Sequence, residues 1–369
     1  MLLLEVTKIA EIRLPSEGIF QVLNLVAPGT LLREGLENVL RAKTGALIVI
    51  GEPEDVMPLV DGGFRLDTEF TPASLYELAK MDGAIILSPD TRRILYANAM
   101  LMPDPGIPST ETGIRHRTAE RVARATGLLT ISISQRRNII TLYKGSVKYP
   151  LKDIGFILTK ANQAIQTLDK YQSVFNHALS NLGVLEFEEM VNLSDVTTVL
   201  QRFEMVTRIV KEITKYIVEL GSEGRLIKMQ LEELIADTDE DGQLVVKDYL
   251  VAGDNRSIEG VLSDMAALSS EELLDLTNFS KILGYSGAVS ALEQPLISRG
   301  HRLLNKIPRL PMLIVENLVA AFGSLQSIVA ASLEELDEVE GIGEARARTI
   351  KEGLRRLQQQ MIIDRQRFI

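Results

Sequence analysis

A chain of 369 residues with a formal charge of −10 at pH 7 and no cysteine is long enough for two or three domains, each with its own core. The missing cysteine excludes disulfides, thiolate zinc sites and a cysteine nucleophile. No apolar stretch reaches the roughly 18 residues that a bilayer demands, and Met1 to Leu4 is cut short by Glu5 and Lys8, too short and too charged for a signal peptide; the expectation is a cytoplasmic protein with no membrane partner.

Up to about Pro150, helical segments alternate with short apolar runs: Ala46 to Ile50, Ala84 to Leu87, Ile94 to Ala97, Leu128 to Ser134 and Asn138 to Tyr143. These predict an α/β domain built on a mixed sheet flanked by helices. The last two runs are split by Gln135-Arg136-Arg137, and T-I-S-I-S alternates like a half-exposed strand, so together they predict an antiparallel hairpin.

Two features in this domain carry chemistry. Asp82 follows a predicted helix, Ser74 to Lys80, and opens a strand, which sets a carboxylate at a strand edge with Gly83 leaving room for a ligand. Further along, Arg115-His116-Arg117 sits in E-T-G-I-R-H-R-T-A-E-R, Glu111 to Arg121. Thr118 or Thr112 can cap a helix from Ala119 to Ala125, which puts the three basic residues in the approach loop, where a helix dipole also favours phosphate. A carboxylate for a divalent cation and guanidinium groups for phosphates suggest a nucleotide polyphosphate site. Asp82 alone could be a turn residue and the basic triplet a salt-bridge cluster. Neither a Walker glycine loop nor a Rossmann fingerprint is present.

From about Leu151 to Gln294 strand signals vanish, and apolar residues recur at helical spacing, as in Leu158, Ala161, Ile165 and Leu168, then Tyr171, Val174 and Phe175. This reads as an all-α spine. From Arg299 to Phe368 there are eleven basic against nine acidic residues, a balance of +2 that leaves −12 on the rest and suggests separate work for the two parts. In V-E-G-I-G-E-A-R-A, Gly341 and Gly343 flank Ile342 before a helix carrying Arg346, Arg348 and Lys351. Such a hairpin lets backbone approach a DNA phosphate without reading bases, and it resembles a helix-hairpin-helix motif over Phe322 to Leu357. Ile307 to Val319 reads as a degenerate first copy without the glycines. The expected domains are 1–150, 151–296 and 297–369.

Taken together, M-D-G-A around Asp82, D-G-G-F at Asp61 to Phe64, L-Y-A-N at Leu95 to Asn98 leading to Leu101-Met102-Pro103, and the T-G-I-R-H-R-T-A-E-R string resemble the diadenylate cyclase domain. The domain order resembles the family of bacterial DNA integrity scanning proteins across essentially the whole chain. The resemblance implies condensation of two ATP into cyclic di-AMP and two pyrophosphates with Mg²⁺ or Mn²⁺. It implies that Asp82 holds the metal, that Arg115, His116 and Arg117 orient phosphates, and that Gly83, Leu101, Ile114, Thr118 and Ser134 line the nucleotide pocket. It further implies a homo-octamer with facing cyclase domains, and an all-α tail binding branched DNA such as Holliday junctions to suppress the cyclase, with nucleoid association. The rivals are a non-enzymatic, ATP-sensing junction scaffold and a repair nuclease, the latter lacking its usual cluster of acidic metal ligands around Asp82.

Asp237 to Gly242 with Asp248 copies the opening of a calcium loop imperfectly, and an acidic turn between spine helices is the preferred reading. His177 and His301 have no partner at metal-ligand spacing and read as surface or packing residues. Arg136-Arg137 reads as a solvated turn near enough to Ser134 to attract ATP.

Overall fold

The computed structural model describes residues 22–251, 253 and 256–367. Met1 to Lys8 and the side chains of Arg365 and Arg367 lie outside what is described. The chain divides into two compact units, one within Met1–Gln163 and Ile213–Lys228, the other within Ala164–Glu212 and Met229–Ile369.

In the first unit, helix α1 (Leu31–Arg41) starts at Thr30, whose hydroxyl accepts from Arg33 N–H. Helix α2 (Pro72–Leu78) starts two residues before the expected Ser74 because Thr71 caps it and Pro72 occupies its first position. The strands are β1 (Ala46–Ile50), β2 (Val60–Asp61), β3 (Phe64–Glu69), β4 (Ala84–Leu87), β5 (Arg93–Leu101), β6 (Leu129–Ser134), β7 (Ile139–Lys144) and β8 (Val147–Pro150). They form one sheet in the order β2-β5-β4-β1-β6-β7-β8, with β3 also paired to β5. Only β1 and β4 run parallel; the remaining pairs are antiparallel, so the sheet is mixed, as the sequence implied. The expected hairpin is present as β6 and β7, closed between Ser134 and Ile139.

The strands not anticipated lack a pattern to read. Every residue of β3 is exposed, so no buried face imposes a signature on it. The last residue of β8 is Pro150, which a sheet accepts at an edge.

Each face of the sheet has its own cover. Helices α1 and α2 pack on one, against Ile48, Ile50, Ile85, Ile131 and Leu142. Helix α3 (Ile114–Thr126) packs on the other, against Leu47, Val49, Ile86 and Tyr143. A strand covered on both faces is apolar throughout, as β1 is. The half-exposed reading of T-I-S-I-S is therefore corrected: β6 is buried almost to its end, and its polar positions Thr130 and Ser132 turn toward α3 rather than water, each 0 % exposed.

The rest is helical. Helix α4 (Ile154–Glu188) and helix α5 (Leu193–Leu220) contribute residues to both units. Along α4 as far as Phe175 the buried positions are Ile157, Ala161, Ile165, Leu168, Gln172 and Phe175. Tyr171 and Val174, expected on that face, are exposed, and Gln172 takes the inward slot because its amide finds the Thr238 hydroxyl at 2.9 Å. The acidic segment after Asp237 is helix α6 (Thr238–Tyr249), not the expected turn. Its Gly242 lies so close to Phe203 that a Cβ would meet the ring at 2.3 Å. Asp241 and Asp248 bind Lys306 and His301, so those carboxylates already have partners within the fold.

In the second unit, Glu186 and Arg302 form a buried ion pair, with Tyr249 and Ser298 hydroxyls also donating to Glu186. Burial pushes the Glu186 carboxyl up, against the pull of Arg302, Tyr249 and Ser298. Two hairpins follow, repeated at a spacing of 32 residues. The first joins helix α7 (His301–Asn305) to helix α8 (Met312–Phe322), and the second joins helix α9 (Leu333–Asp337) to helix α10 (Glu344–Arg367). Leu310 N–H donates to Ile307 as Ile342 N–H does to Val339, and Val315 to Pro311 as Ala347 to Gly343.

Candidate active site and hairpin

Strand order and direction gather one end of the sheet. Strands β1 and β4 start there, β5 and β6 finish there, and so Asp82, Leu101 and Ser134 share that end. Asp82 is fully exposed, and one of its carboxylate oxygens stands 4.0 Å from the Arg115 guanidinium. Its neighbour Gly83 is required by the backbone: a Cβ there would lie 2.3 Å from the Asn98 carbonyl carbon. The glycine thus serves a close strand approach. Asn98 holds a left-handed φ of 52°, and its side-chain oxygen accepts from Gly83 N–H at 3.1 Å.

Helix α3 begins at Ile114, five residues before the expected Ala119, with extended Gly113 as its N-cap and no side-chain cap. Arg115, His116 and Arg117 therefore occupy its first turn, not an approach loop. Consecutive helical residues diverge by about 100°, so the three basic groups separate. Arg115 turns to Asp82. His116 turns inward, its Nδ1 3.0 Å from the Tyr143 hydroxyl. Arg117 donates to the Glu111 carbonyl at 3.2 Å. Ile114 is 84 % exposed beside Arg115, Leu101 is buried at the end of β5, and Thr118 is half-buried on α3. Ser134 accepts from Arg137 N–H at 3.2 Å, which makes Arg136-Arg137 part of the exposed turn beside it.

Sequence reasoning passed over four residues that complete this arrangement. A Cβ at Gly45 would fall 2.2 Å from the Arg115 guanidinium, so the arginine lies against bare backbone at the start of β1. Glu111 is buried beneath the first turn, where it accepts from Tyr143 at 2.9 Å and pairs with Lys148. Burial raises the Glu111 carboxyl, but the Lys148 and Tyr143 hydrogen bonds outweigh it and leave it below its ordinary value. The available signal was the glutamate within the E-T-G-I-R-H-R string itself.

One exposed carboxylate, with no cluster of three or more ligating residues among the described residues, fits a hard divalent cation of the magnesium type. Such an ion takes one or two protein carboxylates and completes its shell with substrate phosphates and water.

At the C-terminal hairpin, Gly341 has φ 82° and is exposed with Gly343, while Ile342 is buried and anchors the turn. Arg346 folds back to the Gly341 carbonyl, Arg348 pairs with Glu344, and Lys351 donates to the Val329 carbonyl at 2.7 Å. Arg302, counted among the basic residues of the tail, is buried and spent on Glu186. In the first hairpin Arg309 holds φ 64° where its counterpart is Gly341, and both hairpins line one open groove of about 580 Å³ with Arg346 and Thr349.

Residues 33–147 match the family described as the DisA bacterial checkpoint controller nucleotide-binding domain, and residues 151–292 match its linker region. Residues 313–356 match the SAM-like helix-hairpin-helix tandem. Among named proteins, the chain is 60 % identical over 344 residues to the DNA integrity scanning protein DisA of Carboxydothermus hydrogenoformans, covering 93 % of this chain and 98 % of that one. It is 59 % identical over 349 residues to that of Symbiobacterium thermophilum, covering 95 % and 98 %. With a Clostridium botulinum counterpart it shares 54 % over 347 residues, 94 % and 98 % of the two chains.

Proposed function

The chain belongs to the DisA family, a nucleotidyltransferase with nucleotide-binding, linker and helix-hairpin-helix parts, and on that premise we propose that it condenses two ATP into cyclic di-AMP under the control of DNA bound at its hairpins. The observation that carries the reading is the exposed Asp82 carboxylate facing Arg115 at 4.0 Å across one end of the sheet.

In each half-reaction a ribose 3'-hydroxyl of one ATP attacks the α-phosphorus of the other. A new phosphodiester bond forms, the α–β bridge breaks, pyrophosphate leaves and the hydroxyl proton is lost. Asp82 favours that hydroxyl's deprotonation, and Arg115 neutralises charge on the attacked phosphate. Arg117 and the open N-terminus of α3 supply further positive potential for the polyphosphate. Gly83, Leu101, Ile114, Thr118 and Ser134 border the nucleotide. A Mg²⁺ or Mn²⁺ held by Asp82 and the phosphates would supply charge neutralisation and make the hydroxyl easier to ionise.

One site holds one ATP, and the product needs two, so two chains must present their sites to each other. Exposed Ile114, Met100 and Met102, at 84 %, 60 % and 61 %, support coverage of this end by a second copy. We assign the assembly to a closed homo-octamer of facing pairs. At the tail, the N–H groups of Gly341 and Gly343, on either side of the buried Ile342, hold DNA phosphates with Arg346, Arg348 and Lys351, independently of sequence. Branched DNA is the preferred ligand and lowers cyclase output, which places the protein in the cytoplasm at the nucleoid. Among the described residues no helix is long and apolar enough to cross a membrane.

Purified protein incubated with ATP and Mg²⁺ or Mn²⁺, with and without a four-way DNA junction, tests the whole reading by mass spectrometry of the products. Cyclic di-AMP that falls on adding the junction is the expected result; ATP that binds and stays intact under both metals would defeat it. Asp82→Asn should abolish the product while ATP and DNA still bind.

A further inference from the structure

Three strings that stand out in the sequence, Asp61 to Phe64, Asp82 to Ala84 and Leu95 to Asn98, converge on one point of the sheet, and the roles above use only the second. Strand β5 leaves its regular pleat at Asn98. On the β4 side Ala84 pairs with Ala99 but Ile86 with Tyr96, which sets Ala97 and Asn98 together against the single Ile85. On the other side β2 ends with Asp61 opposite Met100, and β3 starts with Phe64 opposite Ala97. Between those strands Gly62 and Gly63 hold φ of 68° and 97°. An extra residue of this kind bends a strand and re-aims a side chain, and it recurs beside active sites.

Asn98 itself has φ 52°, a left-handed backbone that asparagine tolerates better than most side chains, but that persists only where the surroundings enforce it. Here they do. A Cβ on Gly83 would lie 2.5 Å from the Asn98 Cα, and one on Gly63 would lie 2.9 Å from the Ala99 Cα, so backbone presses on β5 from both sides. The Asn98 carboxamide reaches the β4 side, where its Oδ1 accepts from Gly83 N–H at 3.1 Å. The bond is exposed, yet it closes between backbones already held in contact, so little further ordering opposes it.

That bond holds the peptide joining Asp82 to Gly83. A peptide is planar, so fixing Gly83 N–H fixes the plane that carries the Asp82 Cα. The Asp82 carboxylate is fully exposed with Arg115 at 4.0 Å, and Lys80 and Met81 before it are exposed as well. Packing therefore does not orient the carboxylate, and the backbone beneath it decides where it stands. We propose that Asn98 is a positioning residue, whose left-handed backbone and carboxamide pin the Asp82–Gly83 peptide so that the Asp82 carboxylate faces Arg115 across the end of the sheet. The proposal rests on the cyclase reading and deepens it, since a carboxylate that assists a ribose hydroxyl has to stand within hydrogen-bond reach of it.

Asn98→Gly removes the carboxamide and gives the left-handed backbone the residue best suited to it, so its melting temperature should be no lower than that of the wild type. Hydrogen exchange of the full-length protein, read by mass spectrometry over peptides that span Gly83, needs no turnover. The wild type should protect the Gly83 amide, and Asn98→Gly should release that amide while Ile85 to Leu87 stay protected. The same variant should lose roughly 10–100-fold in kcat for cyclic di-AMP, with KM for ATP changed by no more than about twofold. Asn98→Asp, which still accepts from Gly83 and suits the same backbone, should keep the amide protected and turn over faster than Asn98→Gly. An unprotected Gly83 amide in the wild type, wild-type turnover in Asn98→Gly with that amide released, or an Asn98→Asp no faster than Asn98→Gly overturns the proposal. A wild type that protects the amide and yields no cyclic di-AMP overturns the cyclase reading instead, so the two failures are told apart.

Discussion

Two glycines at the candidate site have opposite neighbours, and substitution should separate them. At Gly45 an added methyl meets the far end of the Arg115 side chain, which can swing away. Gly45→Ala should change stability by less than about 1 kcal/mol, yet displacing the guanidinium should cost around 10²-fold in cyclic di-AMP formation. At Gly83 the methyl meets the Asn98 backbone, so Gly83→Ala should lower unfolding stability by about 1–3 kcal/mol, read from denaturant titration. His116 and Glu111 together predict acid sensitivity. Burial holds His116 below its ordinary 6.5, and hydrogen bonds hold Glu111 below its ordinary 4.5 against its burial. For both, the unfolded chain binds the proton first as pH falls, so their stabilisation is present above the ordinary value and lost as pH drops through the folded one. The melting temperature should fall as pH drops below about 7, and fall less in His116→Gln. Asp82 and the Arg-His-Arg string were legible because their types and order are informative locally. Gly45 was not, since a glycine before a strand gives no hint of an arginine 70 residues later. Tyr143 and Glu111 meet only because β7 and the loop before α3 fold onto one face.

Among the elements, strands with buried faces declared themselves, and those without did not. Strand β1 is buried at every position and β3 exposed at every position, and only the first was found. The start of α3 was misjudged because a glycine N-cap lacks the hydroxyl signature sought at Thr112 or Thr118. On α4, Tyr171 and Gln172 exchanged expected places because a polar residue with a hydrogen-bond partner can occupy an inward position. The hairpin repeat was glimpsed in the sequence, but not the left-handed Arg309 standing where the second copy has Gly341. A side chain in that conformation costs roughly 1–2 kcal/mol, which a glycine would relieve while adding about 0.5–1 kcal/mol of chain entropy. Arg309→Gly should therefore leave stability unchanged within about 1 kcal/mol. Loss of the exposed cation should weaken DNA binding and reduce the log affinity against log salt slope by about one.

At the scale of the whole molecule, the second unit depends on a charge pair removed from water. Removing one partner of such a pair leaves the other uncompensated, and Arg302→Met should destabilise that unit by about 3–5 kcal/mol in a denaturant titration. Replacing Glu186 and Arg302 together by leucine and methionine should recover much of the loss; failure to recover would point to Tyr249 and Ser298 as the dependent groups. The opposite placement of charge marks the other end of the chain's work. Asp82 stands in open water, where the solvent's dielectric weakens any hold a carboxylate has on an ion or a hydroxyl. A solitary chain can thus carry ATP without spending it. Output per molecule should collapse on dilution well before the fold does, and the nucleotide signal would then report how many copies have found one another.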